Sequence, residues 1–216
     1  MSQKIPIYLI PGLGADERIF QNIDFENLQY FKNENSLQPI YIKWLAPEQY
    51  ETIAHYAQRL STQITTQNPI ILGVSFGGII ANEIAKQQVC SQIILVATVK
   101  THIEIPFLYR FLGALRLHKI VPISLFKHSN PVTNWFFGMK TKDEKMLLKS
   151  ILHDTNTVFL RWAIDAVLTW KNDFIPENCT HFHGTNDRIF PIKTLKTPHI
   201  KVENGGHLMT FNTNFL

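Results

Sequence analysis

Cysteine is the scarcest reactive residue in this chain: only Cys90 and Cys179 occur among 216 residues. Two cysteines cannot build a disulfide framework, and neither has zinc-ligand spacing around it. They read as free thiols, which places the expected compartment in the reducing cytoplasm. Long apolar runs are missing too. Met1-Ser-Gln-Lys4 leads straight into a six-residue apolar segment, too short for a secretory h-region. No stretch approaches the ~18 residues that a membrane span requires. Charge is modest at 18% of residues, with a net +4. Its excess is local: Val99 to Pro176 holds eleven Lys/Arg against six Asp/Glu, and the remainder ten against eleven. No basic cluster or aromatic stacking motif accompanies that surplus, so nucleic acid is excluded as a partner and a solvated helical surface is expected. Repeats, low-complexity tracts and linkers are absent as well, so the chain reads as one domain, a monomer or homodimer.

What the chain does have is a rhythm. Short β-branched runs, Ile5 to Ile10, Pro39 to Trp44, Pro69 to Val74 and Gln92 to Ala97, read as buried strands, as do Thr180 to His183 and His199 to Val202. Segments with apolar residues at helical spacing separate them: Glu48 to Thr66, then Phe76 to Val89. Such alternation predicts a mostly parallel α/β sheet of about six strands with helices on both faces. Between Ala97 and Cys179 the strands stop. Helix-like pieces run from about Pro106 to Leu117, from the capping box Thr141-x-x-Glu144 onward, and from Asn156 to Trp170. Residues 99–176 are therefore expected to be an all-helical cap inserted between strands four and five, and 1–98 with 177–216 the core.

Gly73-Val-Ser75-Phe-Gly77-Gly78 follows one predicted strand and opens the next predicted helix. This G-x-S-x-G spacing suits a sharp strand-to-helix turn that exposes a serine oxygen, with glycines two residues either side so that backbone can pack close. A serine nucleophile needs a base, and the base an orienting acid. Asn204-Gly-Gly-His207 follows the last strand and His183-Gly-Thr-Asn-Asp187 ends the one before it. All three candidates fall at the carboxyl ends of strands, where open parallel sheets gather reactive groups.

The set PGLGAD, GVSFGG, HGTNDRIFP and NGGH resembles the α/β-hydrolase superfamily over nearly the whole chain outside the helical insertion. The resemblance implies an α/β-hydrolase fold. It also implies Ser75 as nucleophile, His207 as general base and acid, and Asp187 as the residue that orients the imidazole. The N–H groups of Phe76 and Leu13 would form the oxyanion hole, with Gly12, Gly73 and Gly77 as structural glycines. The sequence departs from the pattern by having Pro11-Gly12 where many relatives have His-Gly, and by lacking an N-terminal hairpin. The implied activity is that of a cofactor-free serine esterase taking a small, mostly apolar ester. A thioesterase, lactonase or C–C bond hydrolase with the same triad, and a catalytically silent binding protein, are the alternatives. Dehalogenase chemistry on this fold would need a carboxylate where Ser75 stands.

Two competing patterns are weaker. Ile7 to Phe20 looks like a dinucleotide fingerprint, but Glu17 occupies the third glycine position and the next strand ends without a ribose carboxylate. His181-x-His183 could join Asp187 and His207 around zinc, yet that would deprive Ser75 of its base. No metal is therefore expected, and His181 and His183 read as packed beside the sheet. Asp165 and Asp173 are alternative acids only if the insertion folds over the site, and His153-Asp154 reads as a surface pair. The aromatic stretches Phe107-Leu-Tyr109-Arg-Phe111 and Trp135-Phe-Phe137 read as packing of the insertion, with part of them an apolar wall for substrate.

Overall fold

A computed structural model describes residues 4–25 and 37–211. Six strands, β1 (Ile5–Ile10), β2 (Leu37–Tyr41), β3 (Ile70–Val74), β4 (Gln92–Val96), β5 (Cys179–Gly184) and β6 (Ile200–Val202), form one sheet. Its order is β2-β1-β3-β4-β5-β6, and every neighbouring pair is parallel.

The period-two alternation of the strands splits the core into two layers. Tyr8, Ile10, Ile71, Ile93 and Leu95 face one layer, which is closed by α1 (Ile53–Ser61), α2 (Phe76–Ala85) and α6 (Thr157–Thr169). Ile7, Leu9, Leu72, Ile94 and Val96 face the other, which is closed by the 3-10 turn Glu17–Phe20, Ile151 and Met209. Burial on both faces is what makes these strands read as continuous apolar runs.

The second strand is shorter than its sequence implies. Pro39 sits within β2 at the edge of the sheet, where a residue without an N–H costs no ladder bond. After Tyr41 the chain leaves the sheet, because Trp44 and Leu45 have other partners. Trp44 Nε1 donates to Ala15 O at 3.0 Å. The Tyr56 hydroxyl donates to Leu45 O at 2.9 Å and accepts from Leu45 N at 3.0 Å.

Between β4 and β5 lie α3 (Phe107–Ala114), α4 (Pro131–Phe137), α5 (Lys142–Asp154) and α6, with no strand among the described residues. The sequence reading missed α4, although Asn130, whose side chain accepts from Thr133 N, and Pro131 at the first helical position are start signals. This segment is bolted to the sheet layer at several points. Trp170 Nε1 donates to Glu83 Oε1 of α2 at 2.7 Å, and Trp162 Nε1 to Glu51 O at 2.9 Å. Glu104, fully buried, accepts four backbone N–H groups, from Lys100, Thr101, Lys196 and Thr197. Burial raises its carboxyl, but those N–H bonds outweigh burial and hold it below the ordinary value.

Candidate active site

Ser75 joins β3 to α2 with φ 53° and ψ −119°, a conformation a non-glycine residue rarely adopts. The turn holds it there: Ser75 N donates to Val96 O at 2.9 Å, and Thr98 Oγ1 donates to Ser75 O at 2.6 Å. Two glycines make the turn sterically possible. A Cβ on Gly73 would lie 2.4 Å from Gly77 O, and one on Gly77 would lie 2.3 Å from the carbonyls of Ile10 and Pro11.

The imidazole of His207 stands over the serine, with Nε2 2.8 Å from Ser75 Oγ. Its Nδ1 is 2.8 Å from Asp187 Oδ2. The two loops that carry His207 and Asp187 touch through glycine, since a Cβ on Gly184 would meet Gly205 O at 2.3 Å. Asp187 Oδ1 accepts from Ile189 N and Phe190 N at 2.8 and 2.9 Å, so one oxygen is fixed by its own loop and the other is left for histidine. A carboxylate only accepts, so His207 carries its proton on Nδ1 and offers a bare Nε2 to the serine hydroxyl. Phe137 at the end of α4 and Phe190 stand edge-on to the ring, at 5.8 and 5.7 Å. Exposures of 9% for Ser75, 4% for Asp187 and 2% for His207 show how nearly closed the site is.

The turn after β1 lies against the serine: a Cβ on Gly12 would stand 3.5 Å from Ser75 Cβ. That is ordinary contact, so close packing does not demand glycine at 12. The glycine this turn requires is Gly14, at φ 69° and with its Cβ position occupied by Thr155 Oγ1, which donates to Gly14 O. Leu13 packs on the core layer that holds Phe76. Neither the Leu13 nor the Phe76 N–H has an acceptor among the described residues; Phe76 is the first residue of α2, a position with no intrahelical acceptor.

His183, at the end of β5, shares this corner. Its Nε2 is 2.8 Å from Phe190 O and 3.6 Å from Asp187 Oδ2. A carbonyl only accepts, so the His183 proton sits on Nε2 and its bare Nδ1 accepts from His181 Nε2–H at 3.2 Å. Burial pushes both imidazoles below their ordinary value, His181 well below it, and Lys100 and His199 add to the effect on His181. The Asp187 charge opposes that shift in His183. With their facing nitrogens spent on each other, these histidines are not arranged around a cation. Among the described residues the one group with ligand atoms close enough for a metal is Glu48, Glu51 and His55, and Arg59 already lies against both glutamates.

The alternative acids lie elsewhere. Asp165 gathers Arg116, His118 and Lys119, and Asp173 pairs with His102. Asp154 bonds Arg18 as well as His153. From the helical segment, Tyr109 comes close enough to Asp187 that burial and that negative charge together push its phenol up. Arg188 donates to Trp135 O at 2.6 Å and stacks on the Trp135 ring at 4.4 Å. Neither contact is visible in the sequence, because both join residues more than fifty positions apart.

No protein-family model matches the chain, and no curated protein matches it. Solved structures do. A hydrolase from Oleispira antarctica is 13% identical with a TM-score of 0.65, covering 97% of this chain and 86% of its own. A thermophilic esterase from Thermogutta terrifontis is 15% identical with a TM-score of 0.63, covering 96% and 84%. A bromoperoxidase from Bacillus anthracis is 12% identical with a TM-score of 0.65, covering 99% and 89%. The fold is therefore that of the α/β-hydrolases.

Proposed function

We propose that this α/β-hydrolase-fold protein is a serine hydrolase acting on small, mostly apolar carboxylic esters, with no cofactor. The observation that carries this reading is the unbroken run from Ser75 Oγ to His207 Nε2 and from His207 Nδ1 to Asp187 Oδ2, 2.8 Å at each link. Its serine is held at a positive φ on the N-terminus of α2. That helix end favours negative charge at the reacting oxygen.

Ser75 Oγ attacks the ester carbonyl while its proton passes to His207 Nε2. Asp187 stabilises the imidazolium and keeps it in the useful tautomer. The tetrahedral oxyanion rests between the N–H groups of Phe76 and Leu13, both without a protein acceptor among the described residues. His207 returns the proton to the departing alkoxide, then activates water to release the acyl group. Residues 99–176 act as a lid over this chemistry. Water exclusion strengthens every interaction in the site, and the Phe137 and Phe190 rings that flank His207 favour apolar acyl or alcohol groups. With Ser75 only 9% exposed and Phe137 against His207, substrate admission requires side chains around the serine to move.

A fluorophosphonate probe tests the reading directly. Attack by Ser75 Oγ forms an O–P bond and expels fluoride, leaving a mass increment on the peptide that contains Ser75. Wild type should be labelled and should turn over short-chain p-nitrophenyl esters, and Ser75→Ala should do neither. A folded wild-type protein that resists the probe and leaves a panel of esters, thioesters and lactones untouched would be a binding protein instead.

A further inference from the structure

The helical segment carries a surface that catalysis does not use. Ten of the nineteen exposed large apolar side chains among the described residues lie between positions 107 and 135. On α3 and at its C-cap, Phe107, Leu108, Phe111 and Leu115 follow the spacing of a single helical face. The opposite side is sealed, with Gly113 packed onto Leu168 of α6. Beyond α3, Ile120 is 79% exposed, Leu125 64% and Val132 63%, each on a separate short turn or helix. The segment is also charged with one sign only. From Ile105 to Lys142 there is no Asp or Glu, against six Lys/Arg. Arg116 and Lys119 share one carboxylate, Asp165 of α6, which leaves the surface basic.

We infer that this face is a docking surface for an anionic lipid bilayer. So many large apolar side chains left exposed within one stretch of chain mark an interaction site rather than a solvated helix, and aromatic anchors among basic side chains are the chemistry of binding in the plane of a membrane interface. Trp135 shows the pattern locally: its ring is half exposed and carries the Arg188 guanidinium on one side. Arg110 likewise lies over Phe107 at 5.9 Å. A second copy of the chain fits less well, because two such faces would oppose like charges with no acidic residue in the segment to answer them. The protruding apolar side chains are spread over α3 and the short turns and helix that follow it, which suits a deformable apolar phase. No helix among the described residues is long and apolar enough to cross a membrane, so the association is peripheral.

The inference does not depend on hydrolysis, so Ser75→Ala protein can be used throughout. Its co-sedimentation is measured with vesicles of phosphatidylcholine alone and of phosphatidylcholine with about 30 mol% phosphatidylglycerol. Binding is expected only to the anionic vesicles, and it should weaken as salt rises from about 0.05 to 0.5 M. Ile120→Ser with Leu125→Ser, both at exposed positions, should lower partitioning at least tenfold. Lys127→Glu should lower it by about fivefold or more, with melting temperature unchanged in both variants. Equal binding to both vesicle types, or none to either, overturns the proposal. Concentration-dependent dimerisation that the Ile120/Leu125 variant abolishes assigns the face to a second copy and overturns it as well.

Discussion

The sheet layer and the helical segment between β4 and β5 handle their side chains in opposite ways. In the sheet layer the polar side chains around Ser75 go inside and find partners. Asp187, His207 and His183 are buried, and each is held by named partners. In the first part of the helical segment, from α3 to α4, many apolar groups stay outside, as Phe107, Ile120 and Trp135 show. A buried polar group without partners costs several kcal/mol, so its surroundings must be specified closely. An exposed apolar group costs the fold little and is free to serve a second surface. One region is therefore built around a fixed geometry, and the other around what it presents.

That contrast can be broken experimentally, starting with the largest effect. Asp187→Asn keeps shape but offers His207 an amide, which permits the wrong tautomer. Ester turnover should fall by about 10^3 to 10^4-fold with the fold retained, read as kcat beside a circular dichroism spectrum. Gly73→Ala must push the Gly77 backbone aside and should cost about 3 kcal/mol or more by denaturant titration. Gly12→Ala, whose new carbon meets Ser75 Cβ at an ordinary 3.5 Å, should cost less than about 1 kcal/mol. Equal losses at the two glycines would mean that the serine turn is not as tight as described.

Acid provides a milder test. His181 and His183 are held below the ordinary histidine value of 6.5. On acidification through that value the unfolded chain takes up protons that the folded protein refuses, so stability is full above it and declines below it. Tm measured from about pH 7 to pH 5 should fall, and His183→Gln, which can still donate to Phe190 O, should flatten the decline. A wild-type Tm that rises over the same range would sink the assignment of neutral buried imidazoles. The smallest effect belongs to the helical segment, where Leu108→Ser should change stability by no more than about 0.5 kcal/mol.

The same division explains what the sequence revealed. Sheet strands, the G-x-S-x-G turn and the helical character of 99–176 were legible because each rests on short-range pattern: apolar runs, glycine spacing, caps. The limits of β2 were not, because Trp44 and Leu45 are withdrawn from the sheet by Ala15 and Tyr56, partners distant in sequence. Gly12 stood out by its place in PGLGAD, yet Gly14 is the residue that backbone geometry and Thr155 constrain. The exposed face of α3 was hidden for a related reason. Its aromatic residues look like core until the packing of Gly113 onto Leu168 shows which side is taken.

Arg188 follows the acid in sequence and grips Trp135 of α4 with a hydrogen bond and a stacked ring. A charge-assisted bond and a cation–π contact must both break before α4 can lift. The hold on α4 therefore begins one residue after the aspartate whose Oδ2 faces His207 Nδ1.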